Sequence, residues 1–336
     1  MKLQQLRFLN AVVDHGLNIT AAAEHLYTSQ PGISKQIRLL EDELGMTLFV
    51  RRGKRLDALT PAGREVVTRA GRVLREVESI KGLADELRGQ DQGQLSLATT
   101  QTQARYVLPS ILSEFRQQHP ATTVALHQGT SEQIARMLND RTAEFAMATG
   151  AAKLFPGIVR LPVHRWNRVV VVPRTHPLAE SDQALSLETL ARLPLVTYLF
   201  SDRPDSSLMS AFATRGLTPS IAFTARDSDV IKACVRNGLG VGILAGMALE
   251  PGHDDDLIAL PAQHLLPTLT TWIGWRQDQL LRSYHEAFLR LLMPDLPAAL
   301  IDDAIRGRPV PELDELTQEH SLPLRNGQGN GHEGRA

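Results

Sequence analysis

Up to Leu87 the apolar residues recur at helical spacing, and from Gly93 onward they fall into short strand-like runs separated by helical ones. The chain therefore divides by pattern before any single residue is weighed. A first helix is expected over 4–14, with Leu6, Leu9, Ala11 and Val13 apolar. A second follows the possible N-cap Asn18 and carries Ala21, Ala22 and Ala23, small enough to let another helix cross closely. After the turn Tyr27-Thr28-Ser29, a third starts near Gln30-Pro31, where proline's missing N–H costs nothing, and runs through Ile33, Ile37, Leu40 and Leu44 to the stop Gly45. Two short runs around Gly53, between Leu48 and Leu59, predict a hairpin. Thr60-Pro61 then opens a long helix expected to reach Arg88, on which Val66, Ala70, Val73, Val77, Ile80, Ala84 and Leu87 alternate spacings of four and three. Such a stripe either packs on the protein's own core or pairs with a second copy. Its place between two domains favours a dimerisation helix.

Beyond Gly93, strands are expected over 95–98, 123–126, 145–148, 169–172, 195–198, 221–223, 241–244 and 269–275, with helices near 105–118, 131–140, 186–192, 206–215, 227–237 and 279–292. This alternation implies parallel sheet in an α/β fold, with length enough for two small lobes joined by crossing strands near 150–161 and 261–268. A ligand would then lie between the lobes. The organisation expected is a winged helix-turn-helix over 1–59, a linker helix over 60–89, a two-lobed domain over 93–300, and an extension over 301–336 ending in a flexible glycine-rich tail.

The exposed side of the third helix and its turn presents Thr28, Ser29, Gln30, Ser34, Lys35 and Arg38, donors and acceptors suited to base edges and phosphates in a major groove. Arg51, Arg52, Lys54 and Arg55 on the hairpin form a basic wing for phosphate or a minor groove. Each residue alone is equally an ordinary surface group; the set points to double-stranded DNA. Charge sharpens this only locally. The whole chain has formal net charge -1, but up to Arg75 twelve Lys and Arg face seven Asp and Glu.

In the second region Thr99 to Gln103 lie between a strand end and a helix start, where backbone N–H groups, hydroxyls and an amide could hold an anion or small zwitterion, or merely cap a turn. Thr149, at another strand end before Gly150, would face the same cleft.

Residues 1–88 resemble the DNA-binding and linker region of LysR-type transcriptional regulators, through Ala21-Ala-Ala-Glu-His-Leu26, Ser29-Gln-Pro-Gly-Ile-Ser-Lys-Gln-Ile37, Leu40-Glu-Asp-Glu-Leu-Gly45, Leu48-Phe49 and Leu59-Thr-Pro-Ala-Gly63. The resemblance implies dimers that pair into tetramers, a periplasmic-binding-protein-like effector domain, and promoter DNA and RNA polymerase as partners. Paired recognition helices would read half-sites about 34 Å apart. A narrower likeness, to the CysB/Cbl branch that regulates sulfur assimilation and cysteine synthesis, rests on Tyr27-Thr-Ser-Gln-Pro, Ala98-Thr-Thr-Gln-Thr-Gln-Ala-Arg-Tyr106, His127-Gln-Gly129, Trp166-Asn-Arg168, Asp229-Val-Ile-Lys232 and Gly238-Leu-Gly-Val-Gly242. It implies an acetylserine-type inducer or a sulfur oxyanion, sulfate or thiosulfate, at Thr100, Thr102, Gln103 and Thr149, with Trp166 added. Where the branch carries an anion-binding threonine in a loop, this chain has Phe200-Ser-Asp-Arg-Pro-Asp-Ser-Ser207. Arg203 would there act as a charged clamp, opposed by Asp202 and Asp205.

The remaining signals point to no catalysis and no cofactor. Gly238 to Gly242 has the wrong spacing for a dinucleotide loop and marks a helix-to-strand turn; the histidines lack paired metal-ligand spacing; Cys234 is a packing residue; no nucleophile elbow or phosphate loop is present. Arg7, Asn10 and Asp14 break any export signal, and no apolar run is long enough for a membrane span, so a cytoplasmic protein is expected. Two alternatives stay open: a LysR-type regulator of another pathway, such as an alternative sulfur source, and a small-molecule carrier or enzyme built on the two lobes.

Overall fold

The computed structural model describes residues 1–53, 55–87, 93–150, 152–181 and 183–326. They form two compact units, Met1–Gln92 and Gly93–Ala336.

In the first unit α1 (Leu3–Asp14), α2 (Ile19–His25) and α3 (Gln30–Leu44) precede the hairpin β1 (Phe49–Arg52) and β2 (Arg55–Leu59), and α4 (Pro61–Leu87) completes it. Local chemistry sets each boundary. The Asn18 side chain accepts from the Thr20 and Ala21 N–H groups, Ser29 Oγ accepts from Gly32 N–H, and Gly45 ends α3 at φ +65°. Leu9, Val12, Ala22, Ile33, Ile37, Leu40 and Leu48 are buried together. The exposed remainder of α3 is the face that carries Gln30, Lys35 and Arg38.

One expectation needs correcting here. Val66 and Ala70 were assigned to an unpartnered stripe on α4, but they pack with Val67 and Leu74 into the core of this unit, because α1 lies along the start of α4. Val73 and Ile80 are the exposed apolar positions among the described side chains of that helix. Ala84 and Leu87, the end of the stripe, have side chains outside the described residues, as does all of Arg88.

The second unit holds two sheets. The first lobe contains β3 (Gly93–Thr99), α5 (Gln101–Tyr106), α6 (Leu108–Gln118), β4 (Thr122–Gln128), α7 (Ser131–Asn139), β5 (Phe145–Thr149) and β6 (Ile158–Trp166). The chain then makes the second lobe from β7 (Arg168–Pro173), α8 (Leu187–Ala191), β8 (Pro194–Tyr198), α9 (Ser207–Thr214), β9 (Ser220–Ala225), α10 (Ser228–Arg236), β10 (Val241–Ala245) and β11 (Leu257–Pro261). It returns through β12 (Leu269–Arg276), α11 (Ser283–Leu292), α12 (Ala298–Ile305), α13 (Leu313–Glu319) and β13 (Leu324–Arg325). The strand orders are β13-β6-β12-β5-β3-β4 and β11-β7-β10-β8-β9.

The sheets are mixed, not purely parallel: β12 runs antiparallel to both β5 and β6, and β7 antiparallel to β10 and β11. The first crossing is not at 150–161. β6 stays in the first sheet as far as Trp166, and the passage to β7 is the single residue Asn167. Pro162 hides this strand in the sequence, and it is tolerated because β13 pairs with β6 only at Arg165 and Trp166, leaving Pro162 no neighbour on that side to which an N–H would be owed. The second crossing spans 262–268, and Thr268 Oγ1 donates to Asn167 Oδ1 at 2.7 Å, tying the two together.

Residues after 300 are also more than an appendage. Ile301, Ala304, Leu316 and Leu322 are buried in the main core of this unit, and β13 extends the first lobe's sheet. The expected flexible tail falls largely on 327–336, outside the described residues. The Gly238 to Gly242 run makes the α10–β10 turn. Gly240 needs its glycine, since a Cβ there would stand 2.3 Å from the Pro194 carbonyl oxygen.

Gly63 is equally constrained. A Cβ on it would lie 2.0 Å from the Leu48 carbonyl oxygen, which also accepts the Thr60 N–H. Gly63→Ala should therefore destabilise the first unit by about 1–3 kcal/mol. Hydrogen exchange should show faster opening of α1 and α4 with the lobes unaffected; unchanged protection in α4 would mean the backbone yields without cost.

Candidate functional sites

The candidate base-reading groups of the first unit are held in part by their own hydrogen bonds. Gln30 Nε2 donates to Ser34 Oγ at 3.1 Å, which holds two of the candidate base-reading groups in one orientation. Thr28, Ser29, Gln30, Lys35 and Arg38 are exposed and Ser34 is half-buried. Arg52 is exposed on the hairpin, whereas Arg51 Nη2 donates to Glu41 Oε2 at 2.6 Å. Lys54 lies outside the described residues. Glu41 was not singled out from the sequence. Its carboxylate is buried and also accepts from the Leu48 and Phe49 N–H groups, so α3 carries both the candidate reading face and the anchor of the hairpin. A signal existed: Glu41 sits four residues after Ile37, on the apolar stripe.

In the second unit the expected residues separate into a connected chain and outliers. Gln103, 2% exposed, donates from Nε2 to Thr271 Oγ1 at 3.1 Å. Thr271 Oγ1 lies 2.9 Å from Thr149 Oγ1, and Trp166 Nε1 donates to Thr149 Oγ1 at 3.2 Å. The chain forms because Thr271 on β12 is in register with both Thr149 on β5 and His164 on β6. Thr100 caps α5 next to it with no side-chain cap bond, and Thr102 is half-buried. Thr271 was missed, although a threonine inside an otherwise apolar strand was visible.

Arg203 is not part of this chain. Its guanidinium pairs with Glu132, at the start of α7 on the other lobe, so its charge already has a partner. The Glu132 carboxyl is held below the ordinary carboxylate range, first by its own backbone N–H, then by Thr130 and Arg203. A second bridge joins the lobes: Arg105 on α5 pairs with Asp229 on α10 and with Glu250, and Tyr106 Oη donates to Asp229 Oδ1 at 3.1 Å.

The hydroxyl chain can present two faces. When Thr271 donates to Thr149 and accepts from Gln103, the Thr149 hydrogen and the Gln103 carbonyl are left over, one donor and one acceptor. When the hydroxyls rotate and the amide turns, the Gln103 NH2 group is left over, a pure donor. The first state suits a ligand carrying both donor and acceptor groups, the second an oxyanion. Gln103 Oε1 is buried without a hydrogen-bond partner among the described residues, as the first state requires.

At this point the relationship to known proteins is decisive. Residues 3–64 match the helix-turn-helix model for bacterial regulatory proteins of the lysR family, and residues 88–296 match the LysR substrate binding domain. The chain belongs to the LysR family of transcriptional regulators. This LysR regulator is 43% identical over 308 residues to the HTH-type transcriptional regulator CysB of Haemophilus influenzae, covering 92% of this chain and 95% of that protein. It is 41% identical to the HTH-type transcriptional regulator SsuR of Burkholderia cenocepacia, covering 91% and 99%. Its fold matches the crystal structure of the cofactor-binding domain of the Cbl transcriptional regulator with TM-score 0.60 and 37% identity, covering 64% of this chain and 93% of that one. Among the described residues no helix is long and apolar enough to cross a membrane.

His164 adjoins the hydroxyl chain through Thr271 and is fully buried, with neither ring nitrogen hydrogen-bonded among the described residues. Burial, and then the Arg325 charge, pull its pKa down to about 3. The unfolded chain therefore takes up this proton first, near its ordinary pKa. The His164 contribution to stability is complete above about pH 6.5 and is lost as pH falls towards 3, by up to about 1.4 kcal/mol per pH unit. His164→Leu should flatten the dependence of unfolding free energy on pH between 6.5 and 5. An equally steep dependence in that variant would assign the titration to another group.

Proposed function

We propose that this LysR regulator binds promoters of sulfur-assimilation and cysteine-biosynthesis genes and responds to an acetylserine-type inducer, sulfate or thiosulfate in the cleft of its second unit. The observation that carries the ligand reading is the Gln103–Thr271–Thr149–Trp166 chain, whose rotatable hydroxyls can meet either a zwitterion or an oxyanion. The DNA reading rests on the exposed Thr28, Ser29, Gln30, Lys35 and Arg38, the half-buried Ser34, and the Arg51, Arg52 and Lys54 wing. Likeness to CysB and SsuR over nine-tenths of the chain supports the pathway.

The domains act as a 1–59 reader, a 60–89 linker and an effector domain that extends to 326. The protein works as a dimer of dimers in the cytoplasm, contacts RNA polymerase, and performs no catalysis. Effector binding changes the balance of lobe arrangements, and the difference in its affinity for those arrangements sets the size of the response at the promoter. A regulator tuned to a different sulfur source is the second reading; it is favoured by the 200–207 loop, which lacks the branch's anion-binding threonine.

The test is binding to a cysteine-operon promoter fragment at fixed salt, titrated with O-acetylserine, sulfate and thiosulfate. The wild type should bind with an affinity that at least one of these changes. The Thr100→Ala, Gln103→Ala double variant should keep DNA affinity within about twofold and lose the effector response, as expected for separate sites. Lys35→Ala should weaken DNA binding by about 1–3 kcal/mol with effector binding intact. DNA binding indifferent to all three compounds would remove the sulfur assignment and keep the regulator.

A further inference from the structure

Arg168 opens β7 directly after the crossing residue, in register with Ala245 at the C-terminal end of β10. It is 2% exposed, yet Nε and Nη1 make no hydrogen bond and the guanidinium forms no ion pair among the described residues. The side chain is not stranded in apolar core. Its guanidinium carbon lies 5.9 Å from the centre of the Trp166 ring, whose Nε1 donates to Thr149, so it abuts the hydroxyl chain from the second lobe. Ser201, fully buried with an unpartnered Oγ, follows β8 at the same edge of the same sheet.

Burial lowers the Arg168 pKa to about 10, with the neighbouring Tyr198 opposing that shift, and at neutral pH the group keeps its charge. A buried cation is ordinarily paired with an acid. The contact shown for this one is the Trp166 indole, which itself donates to Thr149. The arrangement supplies positive charge and planar donors, and it lacks the acceptor that would complete it.

We infer that Arg168 is the charge-selecting residue of the effector site, its guanidinium taking the oxyanion of a small effector, carboxylate or sulfur oxyanion, whose remaining polar groups meet Thr149 and Gln103. The inference rests on the reading of this cleft as the effector site. It assigns the work that the sequence alone gave to Arg203, which is already paired with Glu132, to a residue two strands away in the same sheet. The effector must then carry at least one anionic group, and an isostere without it should be rejected.

Isothermal titration of the full-length protein with O-acetylserine, its carboxamide, which lacks the carboxylate charge, sulfate and thiosulfate tests this. The wild type should bind at least one anion and should prefer O-acetylserine to the carboxamide by at least tenfold if that is the effector. Arg168→Met should weaken binding of the anion at least tenfold, lose any preference for the acid over the amide, and show a melting temperature without effector that is unchanged or higher, since an uncompensated buried charge has been removed. Arg168→Lys should recover part of the anion affinity. Wild-type affinity for the anion in Arg168→Met, or acid and amide bound equally well by the wild type, would overturn the inference while leaving the cleft as the effector site. A wild type that binds none of the anions would overturn the cleft reading itself and this inference with it.

Discussion

The chain passes between the lobes of its second unit only at Asn167 and 262–268, and the hydrogen bond from Thr268 to Asn167 holds these passages side by side. Any change in lobe arrangement has to be absorbed there. Trp166 and Arg168 flank one passage and Thr271 follows the other by three residues, so the polar groups of the cleft sit where relative motion between the lobes is smallest. A small ligand at that place touches both lobes without spanning a wide gap. The same topology explains why the hydroxyl chain needs three strands to assemble, with Thr149, Thr271 and Trp166 each delivered by a different one.

The first unit obeys a parallel economy. Glu41 accepts from the Leu48 and Phe49 backbone and from Arg51, so the wing is fastened to the helix that carries the candidate base-reading groups. Thr60 accepts the Gly63 N–H and donates to the Thr47 carbonyl, fixing the start of α4 against the same turn. Recognition helix, wing and long helix thus meet around Leu48, and the close approach at Gly63 is the consequence.

Local rules made the helices and most strands legible, because caps such as Asn18, Ser29 and Gly45 and the alternation of apolar residues act within a few positions. What failed was decided at long range. Val66 and Ala70 satisfy a heptad as well as they satisfy a core, and only the packing of α1 chooses between them. β6 falls where a crossing near 150–161 was expected, and it carries a proline that is tolerated because β13 reaches only Arg165 and Trp166 on that side. In the cleft, Thr100, Thr102, Gln103 and Thr149 were legible from strand ends and from family likeness, while Thr271, His164 and Arg168 come into place through register across β5, β6, β12 and β10. Arg203 was legible as a cation near the cleft; its partner Glu132, seventy-one positions earlier, was not.

The charges around the cleft divide by exposure, and this sets which of them can control the lobes. The Arg203–Glu132 and Arg105–Asp229 bridges are between a third and a half exposed, and such pairs contribute about 0–1 kcal/mol after screening. They can orient the lobes but cannot hold them against a competing arrangement. A buried cation is different, because its attraction for an incoming anion acts through a poorly screening interior. Among the described residues Arg168 has no acidic partner; with one, lobe contacts would be satisfied with or without an effector. On the proposed reading, the charge on one lobe and the rotatable hydroxyls on the other are both completely satisfied only by a molecule that joins them, which is what a sensor requires.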